Sequence, residues 1–164
     1  MLKYIEGETM DCEKCQKCID KKEGCRRCFK KGKSVSFDTV LSLTKPYLKN
    51  TLTNDRYYLC TNPNCDVAYY TLTGRCIEVK DVDCDIWYKK EKQKFMVCYC
   101  RDISLDDVVF AVSKLEICTI PKIIHFLQKD NVQTDCIHKN PTGESCARLF
   151  LNAIEYAKKI KLIK

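Results

Sequence analysis

The sequence has no long apolar run. No segment approaches the roughly 20 apolar residues that a bilayer span requires, so a membrane-spanning role is not expected. Its first ten residues, MLKYIEGETM, lack a positive stretch followed by an apolar core, the mark of a secretory signal. A cytoplasmic location is therefore expected. Internal repeats are absent. So are a nucleophile–base pair, a phosphate-binding loop and an open catalytic metal site, and an enzyme is not expected. Histidine is scarce, with two in 164 residues. His125 falls on a helical stretch and reads as a surface or core residue.

Cysteine, by contrast, is plentiful. Fourteen in 164 residues reach the level of metal-bound or disulfide-stapled scaffolds. Disulfides do not persist in a reducing cytosol, so clustered cysteines there point to metal ligation or catalysis. The charge fits metal ligation. Twenty-nine Lys and Arg against 22 Asp and Glu leave +7 with every cysteine counted as neutral. Metal ligands are thiolates. Four thiolates on Zn²⁺ leave about −2, as do four on an oxidised [2Fe–2S]²⁺ core, so with both kinds of site filled the net charge falls to about +3. The basic excess then largely offsets metal-site charge. A patch for nucleic acid is the competing account of the same excess.

Three stretches follow one another along the chain. Residues 1–24 read as a cysteine-rich extension: DCEKCQKCIDKKEG is polar, lacks apolar period and carries Cys12, Cys15 and Cys18. Residues 25–94 read as a β-rich unit. SVSFDTVLSL has strand composition, Pro46 suits the first position of a short helix, and DRYYLC and DVAYYTL are aromatic and β-branched. TGRCIEV pairs back through a Thr73-Gly74 turn as a hairpin. The run KKEKQK, 89–94, reads as a solvated linker. Residues 95–164 read as helical after one strand. Ser104 caps a helix with Leu105, Val108, Val109, Val112 and Leu115 on one face. Thr119-Ile-Pro121 opens a second, with Ile120, Ile123, Ile124 and Leu127 inward. ESCARLFLNAIEYAKKIKLI forms a third, apolar at Leu149, Phe150, Ile154 and Ala157. Lys158, Lys159 and Lys161 suit its C-terminal end. The expected class is α+β: a small β-rich unit followed by a helical unit.

Two cysteine sets carry the chemistry. Cys25-x2-Cys28 is followed after 31 residues by Cys60-x4-Cys65. Pairs on separate turns build a structural zinc site, because each short turn delivers two thiolates and the second closes the tetrahedron. Cys12, Cys15 and Cys18 compete as ligands, and Asp66 is a conceivable oxygen ligand. The role is structural, since four sulfurs leave no position for water. The metal would replace core that so small a unit cannot supply.

The second set opens with Cys98-x-Cys100 in FMVCYC and continues, after 35 residues, with Cys136 and, after nine more, Cys146. A [2Fe–2S] core needs two thiolates per iron. Cys136 lies in a polar loop with turn signals at Asn140-Pro141 and Gly143, and Cys146 begins the last helix. A helix N-terminus offers free amides and partial positive charge to anionic sulfur. His138 could stand in for one thiolate, but a Rieske centre uses two imidazoles. Zinc is the rival occupant, because spacing alone does not separate it from a cluster. Cys76, Cys84 and Cys118 read as core or surface thiols.

CRRCFKKGKSV at 25–35, YYLCTNPNCDVAYY at 57–70, VCYC at 97–100 and NPTGESC at 140–146 occur in this order. Together they resemble the N-terminal zinc and [2Fe–2S] domain of CopZ-type copper chaperones. The later part also resembles [2Fe–2S] domains of the bacterioferritin-associated-ferredoxin type. The resemblance spans about residues 25–155. It implies zinc at Cys25, Cys28, Cys60 and Cys65, a [2Fe–2S] cluster at Cys98, Cys100, Cys136 and Cys146, and a redox or copper-handling partner. It also implies a metal-homeostasis role, including reduction of Cu(II) to Cu(I). Two departures stand out: Arg101 where the family often has phenylalanine, and Glu-Ser-Cys-Ala where it often has adjacent cysteines. A separate heavy-metal-associated carrier domain is not expected from this sequence. MDCEKC at 10–15 copies the M-x-C-x-x-C copper loop of such carriers, but nine residues between Cys15 and Cys25 are too few for that domain, and the string reads as chance. The alternative function is a zinc-stabilised basic module that binds nucleic acid, with aromatics beside basic residues at 56–58 and 87–90 stacking bases.

Overall fold

Ser36 starts a helix where composition suggested a strand. A computed structural model describes residues 23–163, so Cys12, Cys15 and Cys18 lie outside the described residues. Strand β1 (Lys33–Val35) ends at Ser36, whose Oγ accepts the Thr39 backbone N–H at 3.2 Å and caps α1 (Phe37–Leu43). Capping, with Asp38 in the first turn, overrides the β-branched composition of the segment. Pro46 opens the short helix α2 (Pro46–Lys49) as expected.

The strands β2 (Tyr57–Leu59), β3 (Val67–Thr71) and β4 (Cys76–Glu78) join β1 in an antiparallel sheet of order β1-β2-β3-β4. Gly74, at φ 109°, turns β3 into β4. Every residue of β3 is buried. A register shift between Val67 and Tyr69 accompanies an unusual division of the strand. Ala68 and Tyr69 pack with Val40, Leu43, Tyr57 and Ile86, whereas Val67 and Tyr70 pack with Cys25, Cys60 and Cys65. One strand thus serves a hydrophobic core and a cysteine cluster. Gly32 fits against it because its N–H donates to the Tyr70 hydroxyl at 2.8 Å, and a Cβ there would lie 2.6 Å from the Leu59 carbonyl.

The second core begins at β5 (Met96–Cys98), paired with β6 (Ile103–Ser104). Ser104 caps α3 (Leu105–Leu115) in a capping box: its Oγ accepts the Asp107 N–H, and the Asp107 carboxylate accepts the Ser104 N–H at 2.8 Å. Leu115, expected on the inner face, is 41% exposed, while Ala111 is buried. Helices α4 (Ile120–Phe126), α5 (Cys136–Lys139) and α6 (Ala147–Ile163) follow. Val97, Ile103, Val108, Val112, Ile123, Phe150 and Ile154 form the buried centre. His125 is on the surface, 3.1 Å from Asp130. The class is α+β, as expected. Among the described residues no helix is long and apolar enough to cross a membrane.

The two cores are tied together. The buried Tyr69 hydroxyl donates to the Pro141 carbonyl at 2.8 Å. Gly143, at φ 69°, lies so close to α1 that an added Cβ would fall 2.5 Å from Thr39 Oγ1. The run expected as a solvated linker departs from that reading at its first residue: Lys89 is 1% exposed. Phe150 anchors α6 at 2% exposure. Phe150→Ala is expected to cost about 3–5 kcal/mol, the usual range for a truncated core aromatic, read as a lowered midpoint in chemical denaturation.

Candidate metal centres

The chain around Cys25 and Cys28 forms a closed turn. The Phe29 N–H donates to the Cys25 carbonyl at 2.7 Å, the Cys25 N–H donates to the Lys30 carbonyl at 3.0 Å, and Phe29 takes a left-handed φ of 58°. The second turn starts where β2 ends. Cys60 N–H bonds Ala68 O at 2.8 Å, Cys65 N–H bonds Asn62 O at 3.2 Å, and Asn62 Oδ1 accepts the Asn64 N–H. These turns bring four sulfurs together. Cys25, Cys28, Cys60 and Cys65 place all ligand atoms within 4.8 Å of one another. The Cys25–Cys65 and Cys28–Cys60 Sγ distances are 3.9 and 3.6 Å. A tetrahedral zinc with Zn–S bonds of about 2.3 Å spaces its sulfurs about 3.8 Å apart, so the residues fit the ion. Cys25 and Cys60 are fully buried.

The thiols differ in acidity. Burial pushes Cys60 up, and the Lys89 ammonium acts against that rise. Burial also raises Cys65. At Cys28 burial is outweighed by hydrogen bonds from the Lys30 backbone, the Asn62 side chain and the neighbouring cysteines, which bring the thiol to about 7. Asp66, considered above as an oxygen ligand, is instead paired with Arg27, which also reaches Glu78 at 3.2 Å.

The second set has another shape. Cys98 ends β5, Cys100 lies in the turn toward β6, Cys136 opens α5, and Cys146 precedes α6. Cys98 and Cys100 Sγ are 3.7 Å apart. Cys146 lies close enough to Cys98, and Cys100 to Cys136, to shift the acidity of the thiols. The four thiols thus lie near one another, with Cys136 also beside the Cys146 backbone, but they are spread more widely than the first set. Among the described residues, the first set alone forms a group with all ligand atoms within 4.8 Å.

Cys146 is held below the ordinary thiol range. The Cys98 thiol donates to it, burial opposes, and the Tyr99 backbone N–H supports the anion, so its pKa is lowered. Cys98 moves up for the same reason, as the proton donor of the pair. Asn140 Nδ2 donates to Cys146 Sγ at 3.3 Å and to the Glu144 carbonyl at 2.6 Å, while its Oδ1 accepts the Thr142 N–H. Sequence reasoning took Asn140 for a turn residue; the signal of its second task was its place six residues before a cysteine. Arg101 sets a guanidinium nitrogen 3.9 Å from Cys100 Sγ and donates to the Lys129 carbonyl. The Nδ1 of His138 lies 2.7 Å from Asp135, and that pairing occupies the nitrogen.

The remaining described cysteines stand apart. Cys76 is exposed, Cys118 lies beside the Glu116 carbonyl at 3.5 Å, and burial pushes Cys84 up to about 12. All eleven described cysteines are free of disulfides. The aromatics considered for base stacking are engaged in packing. Tyr57 stacks on Phe37, Tyr58 on Tyr70, and Trp87 meets Tyr88 and Tyr99 edge-on.

Residues 22–83 match the zinc-binding domain family of CopZ. Over these residues the chain is similar to a CopZ-type zinc-binding domain. The match contains the whole first set and ends before the second. The crystal structure of the CopZ N-terminal domain from Archaeoglobus fulgidus shares the fold over 76% of this chain and 92% of that one, with a TM-score of 0.61 and 21% identity. No curated protein matches the chain by sequence. The structural likeness thus extends well past the zinc-binding segment, as the ordered motifs implied.

Proposed function

We propose that the chain holds zinc at Cys25, Cys28, Cys60 and Cys65 and a [2Fe–2S] cluster at Cys98, Cys100, Cys136 and Cys146. In this reading it is a cytoplasmic one-electron carrier in copper handling and not an enzyme. The observation that carries the reading is the division of eight thiols into two sets of different shape. A single tetrahedral ion needs every sulfur close to every other, as in the first set. A binuclear core needs two thiolates on each of two irons, which suits a more widely spread set in which Cys98 neighbours Cys146 and Cys100 neighbours Cys136. Zinc in the first set is structural, because four sulfurs saturate it.

A [2Fe–2S] centre in the second set supplies reversible one-electron chemistry. The chain's own groups favour the added negative charge. Asn140 Nδ2–H and the Tyr99 N–H donate to Cys146, Cys146 sits at the N-terminus of α6, and Arg101 faces Cys100. Hydrogen bonds to sulfur and nearby positive charge raise a cluster's potential. The likeness to copper chaperones makes Cu(II) the natural acceptor: one electron passes from the reduced protein and Cu(II) becomes Cu(I). The partner would be a redox or copper-handling protein.

Protein purified without oxygen is expected to be red-brown, with about two irons and two acid-labile sulfides and about one zinc per chain. After reduction it is expected to give the paramagnetic resonance signal of one [2Fe–2S] centre, and Cu(II) is expected to abolish that signal. A colourless protein with about two zincs would instead make both sites structural and remove the redox role.

A further inference from the structure

Lys89 is the least expected residue in the molecule. It stands in the charged run KKEKQK, yet it is 1% exposed. Its Nζ donates to three backbone carbonyls: Asn62 at 2.9 Å, Cys65 at 3.0 Å and Val67 at 2.8 Å. Three donors with three acceptors describe an ammonium with every hydrogen used. The neighbouring residues add to the grip. Tyr88 donates its hydroxyl to the Cys60 carbonyl at 2.8 Å, and the Lys90 N–H donates to the Pro63 carbonyl at 3.0 Å. Five carbonyls between Cys60 and Val67 are thus held by residues 88–90, which lie beyond the segment 22–83 that matches the zinc-binding family.

The charge needs an explanation that the carbonyls do not supply. A buried cation is costly unless an anion lies near it. None of the ion pairs among the described residues includes Lys89. Four thiolates on one divalent ion carry about −2, and Lys89 is bonded to the backbone of one of them. We propose that Lys89 is a positioning residue and the buried countercharge of the four-cysteine centre, holding the Cys60–Cys65 turn in its ligating shape. This rests on the reading of that set as a zinc site.

The test compares Lys89→Met with Lys90→Met in the full-length zinc-loaded protein. Both remove one positive charge, but Lys90 is exposed and keeps its backbone bond. In competition with a chromophoric chelator, Lys89→Met is expected to weaken zinc binding about 10- to 100-fold, the range for groups that orient metal ligands. Lys90→Met should leave it near wild type. With Co²⁺ in place of zinc, Lys89→Met should also shift the thiolate-to-cobalt bands, which a loss of general stability would not do. Equal zinc affinity and unshifted bands in the two variants would overturn the proposal. Should Lys89→Met fail to fold, the wild type decides. Lys89 is expected to resist acetylation far more than Lys90 in the zinc-loaded protein, and to lose that protection when zinc is chelated. Protection that is absent, or that is indifferent to zinc, overturns the proposal. The zinc reading itself fails separately, if Cys60→Ser retains full zinc.

Discussion

Cys60→Ser is expected to abolish tight zinc binding and leave residues 25–94 open to protease. Structural zinc contributes about 10–16 kcal/mol in small zinc-dependent folds, against a typical net stability of about 5–15 kcal/mol for a whole domain. Losing one of four ligands therefore removes an energy comparable to everything that holds the unit folded. The effect should be severe at this position. Cys60 is fully buried, its N–H is bound to Ala68 O, and its sulfur lies 3.6 Å from Cys28. A serine hydroxyl there would be shorter, harder and desolvated. Zinc content, limited proteolysis and thermal unfolding read the result. Cys76→Ser, at an exposed thiol on β4, is the control and should behave like wild type. If Cys60→Ser keeps a full zinc and resists protease, the ligand assignment is wrong.

The second large effect is optical. Serine at Cys98, Cys100, Cys136 or Cys146 should bleach the visible spectrum or shift it strongly, because a hard alkoxide or a vacant position holds iron poorly. Cys118→Ser should leave the colour unchanged, although Cys118 lies between Cys100 and Cys136 in sequence. Its sulfur bonds the Glu116 carbonyl at 3.5 Å. Cys146 should be the most sensitive position. Its pKa is lowered, with Cys98 and the Tyr99 backbone favouring the anion, and Asn140 Nδ2 donates to its sulfur. Loss of colour in Cys118→Ser with colour retained in Cys136→Ser would sink the assignment.

Much of the local structure was readable because its causes are local. Pro46 can open a helix but not sit inside one. Ser104 directly ahead of a helically spaced apolar run is a local N-cap signal, and the structure adds Asp107 to complete a capping box. Thr73-Gly74 between two β-branched runs turns a hairpin, and Gly74 supplies the positive φ. The segment after Val35 misled for the opposite reason. Its Ser, Val and Thr residues favour strands by composition, and only the Ser36 cap on the Thr39 amide showed which preference wins.

The pairing of cysteines was set by the sequence itself. Short spacers force two thiols onto one turn: C-x2-C at Cys25, C-x4-C at Cys60, C-x-C at Cys98. Tertiary structure decided how those turns meet. A register shift in β3 accompanies its split service, Val67 and Tyr70 to the first set and Ala68 and Tyr69 to the hydrophobic core. The loop with Asn140 folds onto α1 through Gly143 and Thr39, and so brings Cys146 to Cys98. Lys89 was beyond sequence reasoning altogether. A lysine in a charged run is solvated unless backbone carbonyls from elsewhere in the chain surround it, and here those carbonyls lie 22 to 27 positions upstream. Spacing along the chain determines which thiols travel together. Only the packed fold determines what charge and which donors they meet, because those groups come from segments that the sequence does not place side by side.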